Sequence, residues 1–427
     1  MNQVELDEFM KSAAVKSWIE TLPRVKSTRY YFPRVLKGFC DFVGLNADEV
    51  IEQRKKDLDS SDQRVIHRFE TEVKRYRNVL ADKGLSPGTQ RTYVGALASF
   101  FKRNYYELDF QRGDIPLGET VRVGVRAASK DEIKRMVEVS DPRERALILL
   151  MKDTGLAEAD IADLKLRDLA IADVSEIWKL VAPVLLRKRR HKTKVSFITF
   201  IGPEAFDALK TTLQIRMKGS PNLIIRSGLN KSVERAIGIP PETLTLDSPL
   251  FRSYERLAFV GVQKNIKSLK AGSISVIVRK AALLAGISDA GFSGHALRRF
   301  FQTSLENAGV SANWVKKMTG HALGQVEAAY SQPQIEMLKE AYVKAYPYLA
   351  ISETVKVRSR VEFLEKEVER LSMNGHSKND KIETQNAEID TLKEEMQDMK
   401  KTMSELEGIF RESLRMSKEI QKKTDRK

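Results

Sequence analysis

From Val355 to about Met416, apolar residues recur every three or four positions: Val361, Leu364, Val368 and Leu371, then Ile382, Ile389, Leu392, Met396, Met399, Met403, Leu406 and Phe410. That spacing puts the apolar side chains on one narrow stripe of an α-helix, with Glu and Lys at most other positions. A helix built this way cannot form a core alone and must bury its seam against another helix. Residues 351–427 therefore read as a coiled-coil extension. The polar run Asn374-Gly375-His376-Ser377-Lys378-Asn379-Asp380 leaves two arrangements open. One is a helix that pairs with another chain, which is favoured; the other is a bend that lets two arms pair antiparallel within one chain. The plain alternative is a long helix exposed to solvent.

The rest of the 427-residue chain is long enough for two or more folding units. Residues 1–112 read as helices. Tyr31, Val35 and Phe39 fall at i, i+4, i+8, with Pro33 expected in the first turn of that helix. Val65 to Leu80 reads as a further helix carrying Arg68, Lys74, Arg75 and Arg77, either a solvated face or a DNA-facing one. Ser86 and Pro87 have the form of an N-cap and first helical residue, followed by an apolar face at Tyr93, Leu97 and Phe100/Phe101. Residues 113–128 are rich in Gly, Pro and charge and read as a linker.

Ser129-Lys130-Asp131-Glu132 has the form of a capping box and opens a second domain, 129–350. Helices are expected at 143–152 and 158–164, on either side of the turn Asp153-Thr154-Gly155-Leu156. Two strands, 177–186 and 195–201, flank the basic turn Arg187 to Lys194, and residues 219–247 read as a Gly/Pro-broken stretch. The fold class is thus mainly α with a small antiparallel β-sheet: a helical N-terminal domain, an α+β domain and a coiled-coil tail.

Composition narrows the function. Lys and Arg number 73 against 58 Asp and Glu, a net charge of +15, which favours a polyanionic partner, nucleic acid first. The single cysteine, Cys40, excludes an internal disulfide framework and a cysteine zinc cluster. The N-terminal stretch lacks a signal peptide's apolar core, and no run of about 18 apolar residues occurs. A cytoplasmic, nucleoid-associated protein with no membrane contact is expected. Neither a Walker-type phosphate loop nor an HExxH motif is found, so nothing implies nucleotide hydrolysis or a metal.

The chemistry-bearing residues gather late in the chain. Gly294-His295-Ala296-Leu297-Arg298-Arg299 is followed by Thr319-Gly320-His321, and Tyr330 comes nine residues later. His295 and Arg298 stand at i, i+3, so both can face one point. Singly, each has a bland explanation, a structural histidine or a core tyrosine. Together they make a set of phosphate ligands beside a hydroxyl nucleophile.

This pattern, His-x-x-Arg, then Gly-His, then Tyr, resembles the tyrosine recombinase (phage integrase) family over about residues 129–348. The basic helices before it are similar to that family's core-binding domain. The resemblance implies Tyr330 as nucleophile, with Arg298, His295 and His321 as phosphate ligands. It implies Lys192 as the hairpin lysine that protonates the leaving 5′-oxygen, with Lys188 and Lys194 as rivals. DNA contacts are expected from Arg187, Lys188, Arg189, Arg190 and Lys194, and from Arg29, Lys37 and Arg91 in the N-terminal helices. No cofactor is implied. The expected partners are duplex DNA and further copies of the chain, as a tetramer on DNA.

One position departs from the family. Where it carries its first arginine, three residues before an acidic one, this chain reads Ala157-Glu158-Ala159-Asp160. Asp160 fits the acidic position; the methyl of Ala157 cannot donate to a phosphate oxygen. Ala157 is either an introduced substitution or a natural divergence, or Arg145 or Arg167 fills the vacancy. The resemblance implies a site-specific recombinase acting through a covalent 3′-phosphotyrosine, without ATP or metal, and impaired in cleavage by Ala157. The alternative is an inactive DNA-binding or architectural protein of the same fold.

Overall fold

A computed structural model describes residues 3–22, 26–111, 113–114, 126–189, 195–227, 233–254, 267–287, 292–321, 334–355, 357, 361, 364–365, 368 and 382–424. The chain divides into two compact units, Met1–Val123 and Gly124–Lys427.

The first unit holds α1 (Gln3–Phe9), α2 (Ala13–Thr21), α3 (Lys26–Val43), α4 (Ala47–Leu58), α5 (Gln63–Ile66), α6 (Arg68–Asp82) and α7 (Pro87–Arg103). Its core is aromatic: Trp18 lies edge-on to Phe100 at 5.5 Å, and Phe39, Phe69 and Phe101 are buried around them. Ser86 caps α7 with Pro87 at its first position, as its sequence dictates. Two expectations need correcting. Pro33 lies in the interior of α3, because the helix starts at Lys26, and Tyr31 is 60% exposed whereas Val35 and Phe39 are buried. The 65–80 helix is broken at His67 into α5 and α6.

The cations of α6 are largely neutralised from within the unit. Lys74 pairs with Asp114 (2.8 Å), Arg75 with Glu72 (3.1 Å), and Arg68 lies 3.7 Å from Asp57. Sequence reasoning overlooked Arg54. Buried on α4, it grips Glu70 of α6 through two nitrogens (2.7 and 3.0 Å) and reaches the Glu107 carbonyl. A buried guanidinium is tolerable only when its donors find such acceptors.

The second unit opens on the Ser129/Glu132 capping box of α8 (Lys130–Glu138). There follow α9 (Pro142–Thr154), α10 (Glu158–Ala162) and two 3-10 turns, Leu166–Leu169 and Val174–Trp178. The hairpin β1 (Val184–Arg189) and β2 (Ser196–Ile201) leads to α11 (Pro203–Lys218) and a second hairpin, β3 (Ser220–Ser227) with β4 (Val233–Ile239). The unit continues with α12 (Ala271–Leu284), α13 (Gly294–Asn307), α14 (Ala312–Met318) and α15 (Ile335–Leu349). Apolar α9 is its spine, with Leu147, Ile148, Leu150 and Met151 fully buried.

Both hairpins depart from expectation. Strand β1 begins at Val184, and Ile177 belongs to a 3-10 turn, because Pro183 has no N–H to offer a ladder. The strand then runs on through the basic residues, pairing Arg187 with Ile198, Lys188 with Phe197 and Arg189 with Ser196. Strands β3 and β4 occupy a stretch that reads as broken, where Leu223-Ile224-Ile225 supplies the β-forming run.

At the end of α9, Lys152 and Asp153 are completely buried. Lys152 Nζ donates to Asp153 (2.5 Å), to Glu204 (2.8 Å) and to the Leu349 carbonyl (3.1 Å). Glu204 accepts the backbone N–H groups of Ile351 and Ser352, and Tyr342 donates to the Asp153 carbonyl. Helix α15 and the chain leaving it are thereby tied to α9.

Beyond this point, α16 (Ile382–Thr424) is a 43-residue helix. Between 390 and 406, only Leu392, Met396, Met399, Met403 and Leu406 are not exposed, which is the expected stripe. The stripe ends early, since Phe410 is 64% exposed. Glu365 meets Lys400 at 2.7 Å, and Val361 and Leu364 are buried. The Glu365–Lys400 pair lies within one chain; pairing with a second chain is the other arrangement the spacing allows.

Candidate active site

Helix α9 stops at Gly155, whose φ of +62° few residues with a side chain adopt. A Cβ there would also run into the Phe301 ring of α13. Close approach recurs at the start of α13, where a Cβ on Gly294 would strike Met151 and the Glu158 carboxylate. Two glycines thus let α13 press against the α9–α10 turn. Position 157 lies in that turn, as the N-cap of α10 with no side-chain bond to the helix.

Arg298 closes the arrangement. It is 7% exposed, and its guanidinium donates from Nη1 to the Gly155 carbonyl and from Nη2 to the Thr319 carbonyl, each at 2.7 Å. Nη2 also lies 3.1 Å from Nε2 of His321. Gly320, at φ +67°, turns the chain after α14, and the His321 amide reaches back to the Lys316 carbonyl at 2.9 Å. Three segments far apart in sequence therefore meet at one guanidinium: the 155–157 turn, α13 and the 319–321 turn.

Among the expected site residues, His295 and His321 are exposed, Arg298 and Asp160 are buried, and Ala157 is half-buried. The structure brings together Arg298, His321 and the turn that carries Ala157. Residues Tyr330, Lys192, Arg190 and Lys194 lie outside the described residues. Lys188 is engaged elsewhere, donating to the Asp163 carbonyl (2.7 Å) and pairing with Asp168 (2.9 Å) on the face of β1 shared with buried Leu186. Arg187 and Arg189 stand exposed on the opposite face. In the first unit, Arg29 reaches the Leu22 carbonyl, Lys37 pairs with Asp41, and Arg91 is exposed.

Neither rival arginine is held at the vacancy. Arg145 bonds the Val137 carbonyl and stands ten positions before Gly155 along α9, about 15 Å along the axis. Arg167 pairs with Asp247.

Charge is buried directly behind the turn. Burial pushes the Asp153 carboxyl up to about 6, although Lys152 pulls the other way. For Lys152 itself, burial would lower the ammonium's pKa, but Asp153 and Glu204 outweigh it and hold it above the usual lysine range. Sequence reasoning missed one participant, Thr319, which is fully buried with its hydroxyl 2.9 Å from His321 Nδ1. Its only signal was its place beside the Gly-His pair.

As a chemical device, the arrangement presents a fixed, buried guanidinium beside one exposed imidazole, that of His321. That suits an anionic group carrying several oxygens.

Residues 127–336 match the phage integrase family. Similar curated proteins include a tyrosine recombinase XerC of Pelotomaculum thermopropionicum (strain DSM 13744 / JCM 10971 / SI), 26% identical over 286 residues, 64% of this chain and 80% of that protein. Another tyrosine recombinase XerC, of Syntrophus aciditrophicus (strain SB), is 27% identical over 163 residues, 36% of this chain and 49% of that protein. Among solved structures, a lambda integrase dimer bound to a COC′ core site is 13% identical over 78% of this chain and 99% of that one, with a TM-score of 0.45.

Proposed function

We propose, from the premise that residues 127–336 are a domain of the phage integrase family of tyrosine recombinases, that this chain cuts and rejoins duplex DNA at specific sites through Tyr330. The observation that carries the reading is the Arg298 guanidinium, which gathers the 155–157 turn, the 319–321 turn and His321 around one point.

In this reading a scissile phosphate sits against Arg298, with His295 and His321 beside it. The phenol of Tyr330 gives up its proton to a base or to solvent as its oxygen attacks phosphorus, a 3′-phosphotyrosine bond forms, and the bond to the 5′-oxygen breaks as Lys192 gives that oxygen a proton. A phenol of pKa about 10 is a poor nucleophile at neutral pH, so rate must come from cations preorganised for the charge that develops on phosphorus. Attack by a 5′-hydroxyl reverses the step. One ester is exchanged for another, so no ATP is required.

Ala157 withholds one of those cations. Losing a single preorganised donor costs on the order of 10²–10³ in rate, so cleavage by this chain is slow. Duplex DNA is the partner, held largely by phosphate contacts, and strand exchange calls for several copies, a tetramer on the DNA. A second reading, binding without cleavage, draws support from Ala157 together with the engagement of Arg145 and Arg167 elsewhere.

A nicked suicide substrate separates the two. The expected result is a weak covalent adduct with this chain, raised about 10²–10³-fold by Ala157→Arg and abolished by Tyr330→Phe. If neither this chain nor Ala157→Arg forms an adduct, the binding-only reading stands.

A further inference from the structure

Histidine 321 has two ring nitrogens, and what it can do to a substrate depends on which one carries the proton. Two contacts reach the ring nitrogens. The hydroxyl of fully buried Thr319 lies 2.9 Å from Nδ1, and Nη2 of Arg298 lies 3.1 Å from Nε2 and 3.3 Å from Nδ1.

A threonine hydroxyl has one proton to give. Here it goes into the last turn of α14, to the Val315 carbonyl at 2.8 Å, with the Lys316 carbonyl at 3.2 Å. Toward the imidazole the hydroxyl is then an acceptor, so Nδ1 must bear a hydrogen. Nη2 of Arg298, nearly equidistant from the two ring nitrogens, lies over the ring rather than along either lone pair and is compatible with both tautomers. The reverse tautomer would require the Thr319 hydroxyl to donate to Nδ1 and give up its bond to Val315.

The geometry points to Thr319 as a positioning residue that holds His321 in the Nδ1–H tautomer and leaves Nε2 as the ring's accepting nitrogen. Its consequence for DNA cleavage rests on the recombinase reading above; the tautomer itself does not. A hydroxyl hydrogen-bonded to the imidazole sets its orientation as well as its tautomer, as second partners of functional histidines commonly do.

The test uses the full chain with 15N-labelled histidine and long-range 1H–15N correlation spectra, His321 being assigned by the signal that disappears in His321→Gln. The expected pattern is Nδ1–H for His321, shifted toward Nε2–H in the near-isosteric Thr319→Val and retained in Thr319→Ser. An Nε2–H pattern in the unaltered chain, or one unmoved by Thr319→Val, overturns the inference. If Thr319→Val fails to fold, the unaltered chain and Thr319→Ser still decide it. In an Ala157→Arg background, Thr319→Val is expected to slow suicide-substrate cleavage at least tenfold with DNA affinity within twofold, and Thr319→Ser to restore it. If the tautomer shifts as expected while no variant cleaves DNA, the recombinase reading fails and the role of Thr319 stands.

Discussion

At the scale of single residues, the site depends on two glycines and one alanine as much as on its charged groups. Gly155 combines a left-handed backbone with the Phe301 ring packed where a side chain would go. Gly155→Ala should therefore cost about 2–4 kcal/mol, strain and overpacking together, read as a lower urea midpoint. An unchanged midpoint would show that the turn relaxes freely. Arg298 and His321, singled out in the sequence by type and spacing, meet in the structure. Thr319 was not singled out, since a threonine before a glycine is common and only its burial against His321 gives it meaning. The engagement of Lys188 was equally hidden: its partner Asp168 lies twenty residues away, and only the turn at 166–169 brings the two together.

At the scale of elements, caps were readable and strand limits were not. Ser129 and Glu132 exchange backbone bonds at the start of α8, and Arg126 holds Glu132 with two nitrogens (2.5 and 2.7 Å). The Arg126 guanidinium, aided by the Ser129 amide, lowers the Glu132 carboxyl to about 2. Its stabilising effect is complete above the unfolded value near 4.3 and is lost as pH falls through about 2. Glu132→Gln should thus lower stability by about 1 kcal/mol at pH 7, with the two proteins converging as pH drops from 4.3 toward 2. Chemical denaturation across that range checks it. The limits of β1 escaped the sequence because Arg-Lys-Arg reads as a turn, whereas pairing with Phe197 and Ile198 draws it into the ladder. Exposed on one face of that strand, Arg187 and Arg189 are suited to phosphate. Replacing both with Ala should weaken DNA binding and reduce the slope of log affinity against log salt by about 2, near one for each phosphate no longer neutralised. An unaltered slope removes them from the DNA interface.

At the scale of the whole molecule, the junction between α15 and the tail is a buried charge cluster. Glu204 satisfies Lys152 and also holds the amides of Ile351 and Ser352. Glu204→Ala takes one of two carboxylates from fully buried Lys152 and the acceptor from both amides, and should cost about 3–5 kcal/mol. The checks are urea denaturation and faster proteolysis near residue 350. Glu204→Gln, which keeps the acceptor oxygen, should lose less. Equal stability of Glu204→Ala and the unaltered chain would mean that the cluster does not anchor the tail.

The sequence by itself determined most of the helices, several of their caps and the apolar stripe of the tail. These follow from spacing and residue chemistry within a turn or two of chain. Only the tertiary structure decided which groups meet. Gly155 and Arg298 are 143 residues apart, and Lys152 and Leu349 are 197 apart. Contacts of that range arise from how helices pack, and packing depends on volumes and glycines on both partners at once, which no local pattern records.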